Sequence, residues 1–134
     1  MQKKIVDRFG LLLFVILIAY TYTKFKKDEC LLKNKGVLFK AKITGDKLTK
    51  SGLSIQYTFP FKKANFEQLA VEKNIDIGDV DKFFKDKIFP LILLEENPKN
   101  NKLLIFKEDF ERYGLAYPDS LKWVCDSLKL KDCR

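Results

Sequence analysis

Residues 9–22 read FGLLLFVILIAYTY, 14 residues without a charge in a chain whose residues are 33% charged. A helix over this run is apolar all round, with no polar face to turn to water. Crossing a ~30 Å hydrocarbon core takes about 20 residues, and ~17 is a practical minimum. The run reaches that length by drawing in Ile5, Val6 and flanks whose Lys and Arg side chains snorkel toward water. Tyr20 and Tyr22 fall where an interfacial aromatic belt belongs. Lys3, Lys4 and Arg8 precede the run, and Lys24, Lys26 and Lys27 follow it. We expect an uncleaved signal-anchor that crosses the membrane once. Two other readings stay open. One is a cleaved secretory signal, since the run has the length of a signal's apolar core, although Ala19-Tyr20-Thr21 is a poor cleavage pattern. The other is a buried helix of a soluble protein. Three basic residues flank the run on each side, so the positive-inside rule barely discriminates, and Lys33 and Lys35 would even favour a cytoplasmic domain. The expected placement is a short inner tail with the larger domain on the exported side.

The chain then divides into a membrane anchor and juxtamembrane segment over residues 1–29 and a small domain over residues 30–134. About 100 residues suffice for one modest core. The net charge is +8, and without Lys3, Lys4, Arg8 and Asp7 the remainder carries 23 basic and 17 acidic residues, near +6. Such a balance favours anionic partners, namely lipid headgroups, nucleic acid or an acidic protein. The lysines are scattered, as on a solvated surface, and no nucleic-acid partner is expected. Lys24, Lys26 and Lys27 differ because they adjoin the apolar run, where each Lys beside anionic lipid contributes ~1 kcal/mol. They are the candidate membrane-surface contacts, with the lipid bilayer and an envelope protein as expected partners.

Within the domain, residues 36–44 alternate Val37, Phe39, Ala41 and Ile43 with Leu38, Lys40 and Lys42, the period of a half-buried strand. Gly45-Asp46-Lys47 supplies turn chemistry. Residues 53–61 alternate most regularly, and Pro60 places that strand's end at an edge or outside the sheet. Residues 66–73 are read as a third strand, although Phe66, Leu69, Ala70 and Lys73 also keep helical spacing. Residues 76–87 are read as a helix, with Asp79 as N-cap and Val80, Phe83 and Phe84 on one face. Residues 88–94 (IFPLILL) form a strand covered on both faces, followed by a loop over 95–101 and a short strand over 103–106. Residues 108–113 and a segment opening at Pro118-Asp119-Ser120 are helical, with Leu121, Val124, Cys125 and Leu128 on one side. The expected fold is α+β: an N-terminal transmembrane helix, then a small, mainly antiparallel sheet with two or three short helices.

The chemistry is limited by what is missing. The chain has no His, the usual general base near neutral pH. It has no G-x-x-x-x-G-K-[ST] or G-x-G-x-x-G loop and no Ser-x-x-Lys pair. We therefore expect no enzyme, no cofactor and no metal site. Asp76, Asp79 and Asp81 superficially suggest calcium, but Lys87 stands where an EF-hand needs its twelfth-position Glu; helix capping is the expected role. The three cysteines, Cys30, Cys125 and Cys133, lack Cys-x-x-Cys spacing and a His partner for zinc. Cys125 and Cys133 are the candidate disulfide, which suits an exported domain; a link from Cys30 to either of them, and a buried thiol at Cys125 with no disulfide, stay open. Basic and aromatic residues interleave at 59–63 and 82–85, but the strand and helix periods send most of these rings to the core. Trp123 is expected to plug the last helix against the sheet.

Phe89-Pro90-Leu91-Ile92, residues 97–105 (NPKNNKLLI), Asp109-Phe110 and residues 118–123 (PDSLKW) are the segments that resemble a set of small, uncharacterised bacterial proteins. The resemblance covers mainly residues 36–124 and implies an N-terminal hydrophobic anchor followed by a short β-rich domain, with no activity attached. The expected function is a membrane-anchored, non-enzymatic interaction module that offers a sheet edge for strand addition. An immunity or inhibitory partner protein, and a small enzyme working without His, are the alternatives.

Overall fold

The computed structural model describes residues 2–130, and side chains from residue 9 onward. Helix α1 (Gln2–Lys35) is continuous through the apolar run and beyond. Five strands follow: β1 (Val37–Thr49), β2 (Gly52–Phe61), β3 (Ala64–Val71), β4 (Ile88–Leu94) and β5 (Asn97–Leu103). The chain closes with α2 (Lys107–Arg112), a 3-10 turn (Asp119–Leu121) and α3 (Lys122–Leu128). The α+β layout and the antiparallel sheet agree with the sequence reading. The stretch 9–35 is long and apolar enough to cross a membrane, and none of its most apolar window is buried.

The sheet has the order β3-β2-β1-β4-β5, every neighbouring pair antiparallel. β1 is shared. Its first half, Val37 to Lys42, pairs with β4, and its second half, Lys42 to Thr49, pairs with β2. A bulge between Ile43 and Gly45 marks the handover, and bulges of this kind bend and twist a strand. The turn expected at Gly45-Asp46-Lys47 is therefore absent: Gly45 is buried inside a longer strand. The chain reverses instead at Lys50-Ser51, where Thr49 pairs with Gly52 and Gly52 takes φ +116°. Two more two-residue hairpins follow at Lys62-Lys63 and Glu95-Glu96. The last corrects the expected loop over 95–101, because Asn97 to Asn101 already lie in β5.

Pro60 acts on one side of β2 only. It pairs with Asn65 of β3, but the ladder between β2 and β1 ends at Lys42 opposite Thr58. Two positions further along, that register would set Lys40 opposite Pro60, which has no N–H to donate. The two strands part there and leave a groove rimmed by Lys40, Lys42, Pro60 and Asn65.

The bend in β1 curls the sheet until its two edge strands, β3 and β5, contact each other. A curled sheet encloses its core. Ile43, Ile55, Phe59, Phe89, Leu91, Leu93 and Leu103 are almost fully buried on the inner side. Phe59 stacks on Phe66 at 5.4 Å, and Phe39 meets Phe61 edge-on at 5.6 Å. The open end is stoppered by Phe84, Phe89 and Trp123, whose rings lie 5.7–5.9 Å apart. Trp123 thus plugs the last helix as expected, with Lys87 Nζ 3.8 Å from its ring centroid. The helix expected over 76–87 is reduced to one π-helical turn, Val80–Phe84. Asp79 does not cap it: its carboxylate accepts instead from the Asp76 N–H at 3.2 Å. Gly78 at φ +92° and Asp86 at φ +65° break the backbone on either side, which confines the helix to a single turn.

Candidate functional site at the helix–sheet junction

The last part of α1 is a docking surface. Phe25, Glu29, Leu32 and Gly36 recur at helical spacing and form one stripe. Leu32 is 4% exposed and belongs to the domain core. Gly36 donates its N–H to the Leu32 carbonyl at 2.9 Å as the helix ends. A side chain at position 36 would collide with that carbonyl and with Ile92 of β4. Glu29 meets Arg112 of α2 at 3.5 Å. Residues 33–35 are helical, so the apolar run and the sheet are joined by packed structure instead of a linker.

A cleft of about 250 Å3 opens beside this contact. From α1, Phe25, Asp28, Glu29 and Leu32 line it, Phe25 exposed and Leu32 buried. Asn100, Asn101 and Lys102 of β5 form the opposite wall, and Arg112 and Tyr113 close the side. Both signs of charge are present. Arg112 serves Glu29, whereas Asp28 makes no ion pair among the described residues.

Lys102 leads from the cleft wall into a buried network. Its ammonium lies 3.7 Å from Glu72 and 3.8 Å from Asp109. Asp109 is well held, because its other oxygen accepts from the N–H groups of Ile105 and Phe106 at 3.1 and 3.0 Å. That is how α2 begins: the carboxylate satisfies donors left over at the helix start. Glu72 is not held. Its side chain is 8% exposed, and 3.7 Å is too long for a hydrogen bond, so its Oε1 has no hydrogen-bond partner. Burial pushes the Glu72 carboxyl up to about 7, against the pull of Lys102 and with the help of the Asp109 charge. The same burial raises the Tyr57 hydroxyl, with Glu72 adding to it. That hydroxyl donates to Asn101 Oδ1 at 2.6 Å. Because Glu72 follows β3 and Lys102 sits in β5, their pair bridges the two edges of the curled sheet.

A carboxylate beside a lysine is what chemistry without His would need. Glu72, however, does not line the cleft, and Asp109 is engaged in capping. The arrangement closes the sheet and starts a helix. It also narrows the expected strand-addition surface, since the edges turn toward each other.

The other residues singled out in the sequence fall elsewhere. Lys24, Lys26 and Lys27 are exposed on α1, with Lys26 Nζ 5.9 Å from the Tyr22 ring centroid. Cys30 is a free, exposed thiol. Cys125 is buried and disulfide-bonded, while Cys133 lies outside the described residues. Asp81 pairs with Lys85 at 3.4 Å, and no group of three or more potential ligands is placed to hold a metal among the described residues. The rings of Phe59 and Phe61 are buried, so they offer no stacking platform of the kind single-stranded nucleic acid uses.

No family model, curated protein or solved structure matches this chain.

Proposed function

We propose that this protein is a single-pass, membrane-anchored and non-catalytic interaction module whose α1 crosses the bilayer and holds the curled sheet against its surface. The observation that carries this reading is the unbroken helix from the apolar run to Leu32 in the domain core. A flexible tether would let the domain roam, whereas a packed joint presents one face to the membrane and another to a partner. Lys24, Lys26 and Lys27 then lie at the headgroups, where they contribute through anionic lipid. The partner is an envelope protein, and the domain sits on the exported side.

Cys30 allows a direct test. Among the described residues it is the exposed, free thiol on the domain side of the apolar run. In sealed membranes of known sidedness, a membrane-impermeant maleimide should label Cys30 from the exported side, and the protein should resist extraction at alkaline pH. Purified in mild detergent from its own cells, it should run as a complex larger than the monomer. Alkaline extraction would remove the anchor from the account. Labelling only after lysis would reverse the orientation, and a clean monomer would remove the interaction role.

A further inference from the structure

The cleft at the junction has a chemistry and a depth that together suggest an occupant. We infer that it receives the headgroup of a phospholipid bearing a primary amine, an inference that rests on α1 crossing the bilayer. Depth comes from helix geometry. With the hydrocarbon boundary at Tyr22, a rise of 1.5 Å per residue sets Phe25 ~4.5 Å and Glu29 ~10 Å beyond it. The headgroup layer on one side of a bilayer is roughly 5–8 Å thick. Phe25 therefore stands inside that layer, and Asp28, ~9 Å from the boundary, lies just beyond it with its side chain tilted back toward the membrane, as helical side chains tilt toward the N-terminus.

Charge decides which headgroup. Lys102 is shared between two acids, and Arg112 meets Glu29 through its Nε. The carboxylate without an ion pair among the described residues is Asp28, which lines the cleft. An ammonium group suits Asp28, and a phosphate suits the Arg112 guanidinium, which favours planar recognition of phosphate oxygens. The amides of Asn100 and Asn101 add neutral polar groups to the same wall. A purely anionic headgroup would meet Asp28 and Glu29 together. A choline headgroup would bring a cation with no N–H to donate.

The test uses the full chain in vesicles of phosphatidylcholine, with and without phosphatidylethanolamine. A benzophenone amino acid replaces Phe25 in one sample and Ile16 in another. Position 16 should form lipid adducts in proportion to bulk composition. Position 25 should be enriched several-fold in phosphatidylethanolamine adducts, and Asp28→Asn should return that enrichment to the bulk ratio. Adducts at 16 with none, or only bulk-ratio adducts, at 25 would overturn the inference and leave the membrane reading standing. Enrichment that survives Asp28→Asn would overturn the amine contact. No lipid adduct at 16 would overturn the membrane reading and this inference with it.

Discussion

Leu32→Ala should destabilise the domain by about 2–5 kcal/mol, although residue 32 lies in the helix that carries the apolar run. The range is that of a buried leucine truncated to alanine, where the lost transfer energy is joined by the cost of the cavity. Leu32 is 4% exposed, so nearly all its apolar surface is at stake. Alanine is the better helix former, which places the expectation in the lower part of the range. For a domain of this size that is a fall in Tm of roughly 10 °C, read by thermal unfolding of the full chain in detergent. Lys33→Ala, at an exposed neighbour in the same turn, should change little. Equal effects of the two substitutions would mean that the end of α1 is not part of the core. Gly36 guards the same joint from the other side. Any side chain there meets the Leu32 carbonyl and Ile92, and overpacking of this kind costs about 1–3 kcal/mol.

The second large effect is a dependence on pH. Burial raises the Glu72 carboxyl from its ordinary value of 4.5 to about 7. The folded state therefore holds this proton more tightly than the unfolded state does. The resulting stability is fully present below pH ~4.5, declines as pH rises, and is gone above ~7. A separation of that size corresponds to about 3 kcal/mol. Glu72→Gln removes the titration and keeps the shape. The stability of the variant relative to the parent should rise by about 3 kcal/mol between pH 4.5 and 8. Taking the difference cancels the other acids, including Asp86 and Asp119, which their lysine partners hold below the ordinary carboxylate range. Lys102, Asp109, Arg112 and Tyr57 all act on Glu72, so a Lys102 variant would confound the measurement and Glu72→Gln is the cleaner one. A pH-independent difference would show that Glu72 is not protonated in the fold.

Much of this architecture is legible in the residues. Period-two alternation marks β1 and β2, and an unbroken apolar run marks β4, whose Leu91, Ile92 and Leu93 are all buried. Pro60 announces the end of a ladder, and only the structure shows that it ends toward β1 and continues toward β3. The misreadings share a cause. Gly45-Asp46-Lys47 has the composition of a turn, but a bulge also takes glycine, and local chemistry does not separate the two. Residues 76–87 have helix-forming charges, but Gly78 and Asp86 confine them to one π-helical turn. The junction was least visible. Leu31 and Leu32 lie among charged residues, and the stripe from Phe25 to Gly36 acquires meaning only once β4, β5 and α2 stand opposite it. Glu72 and Lys102 lie 30 positions apart and meet only because the sheet curls, a property of the bend in β1 that no short segment encodes.

Packing at Leu32 and Gly36 is what would make the apolar helix and the curled sheet move as one body. The most direct measurement is the distance between two spin labels on the full chain in lipid, one on Cys30, the native free thiol, and one at Lys107→Cys on α2. A single narrow distance distribution, broadened by Gly36→Val, is the result expected of a packed joint. A broad distribution in the parent protein, unchanged by Gly36→Val, would mean that the helix and the domain are merely tethered.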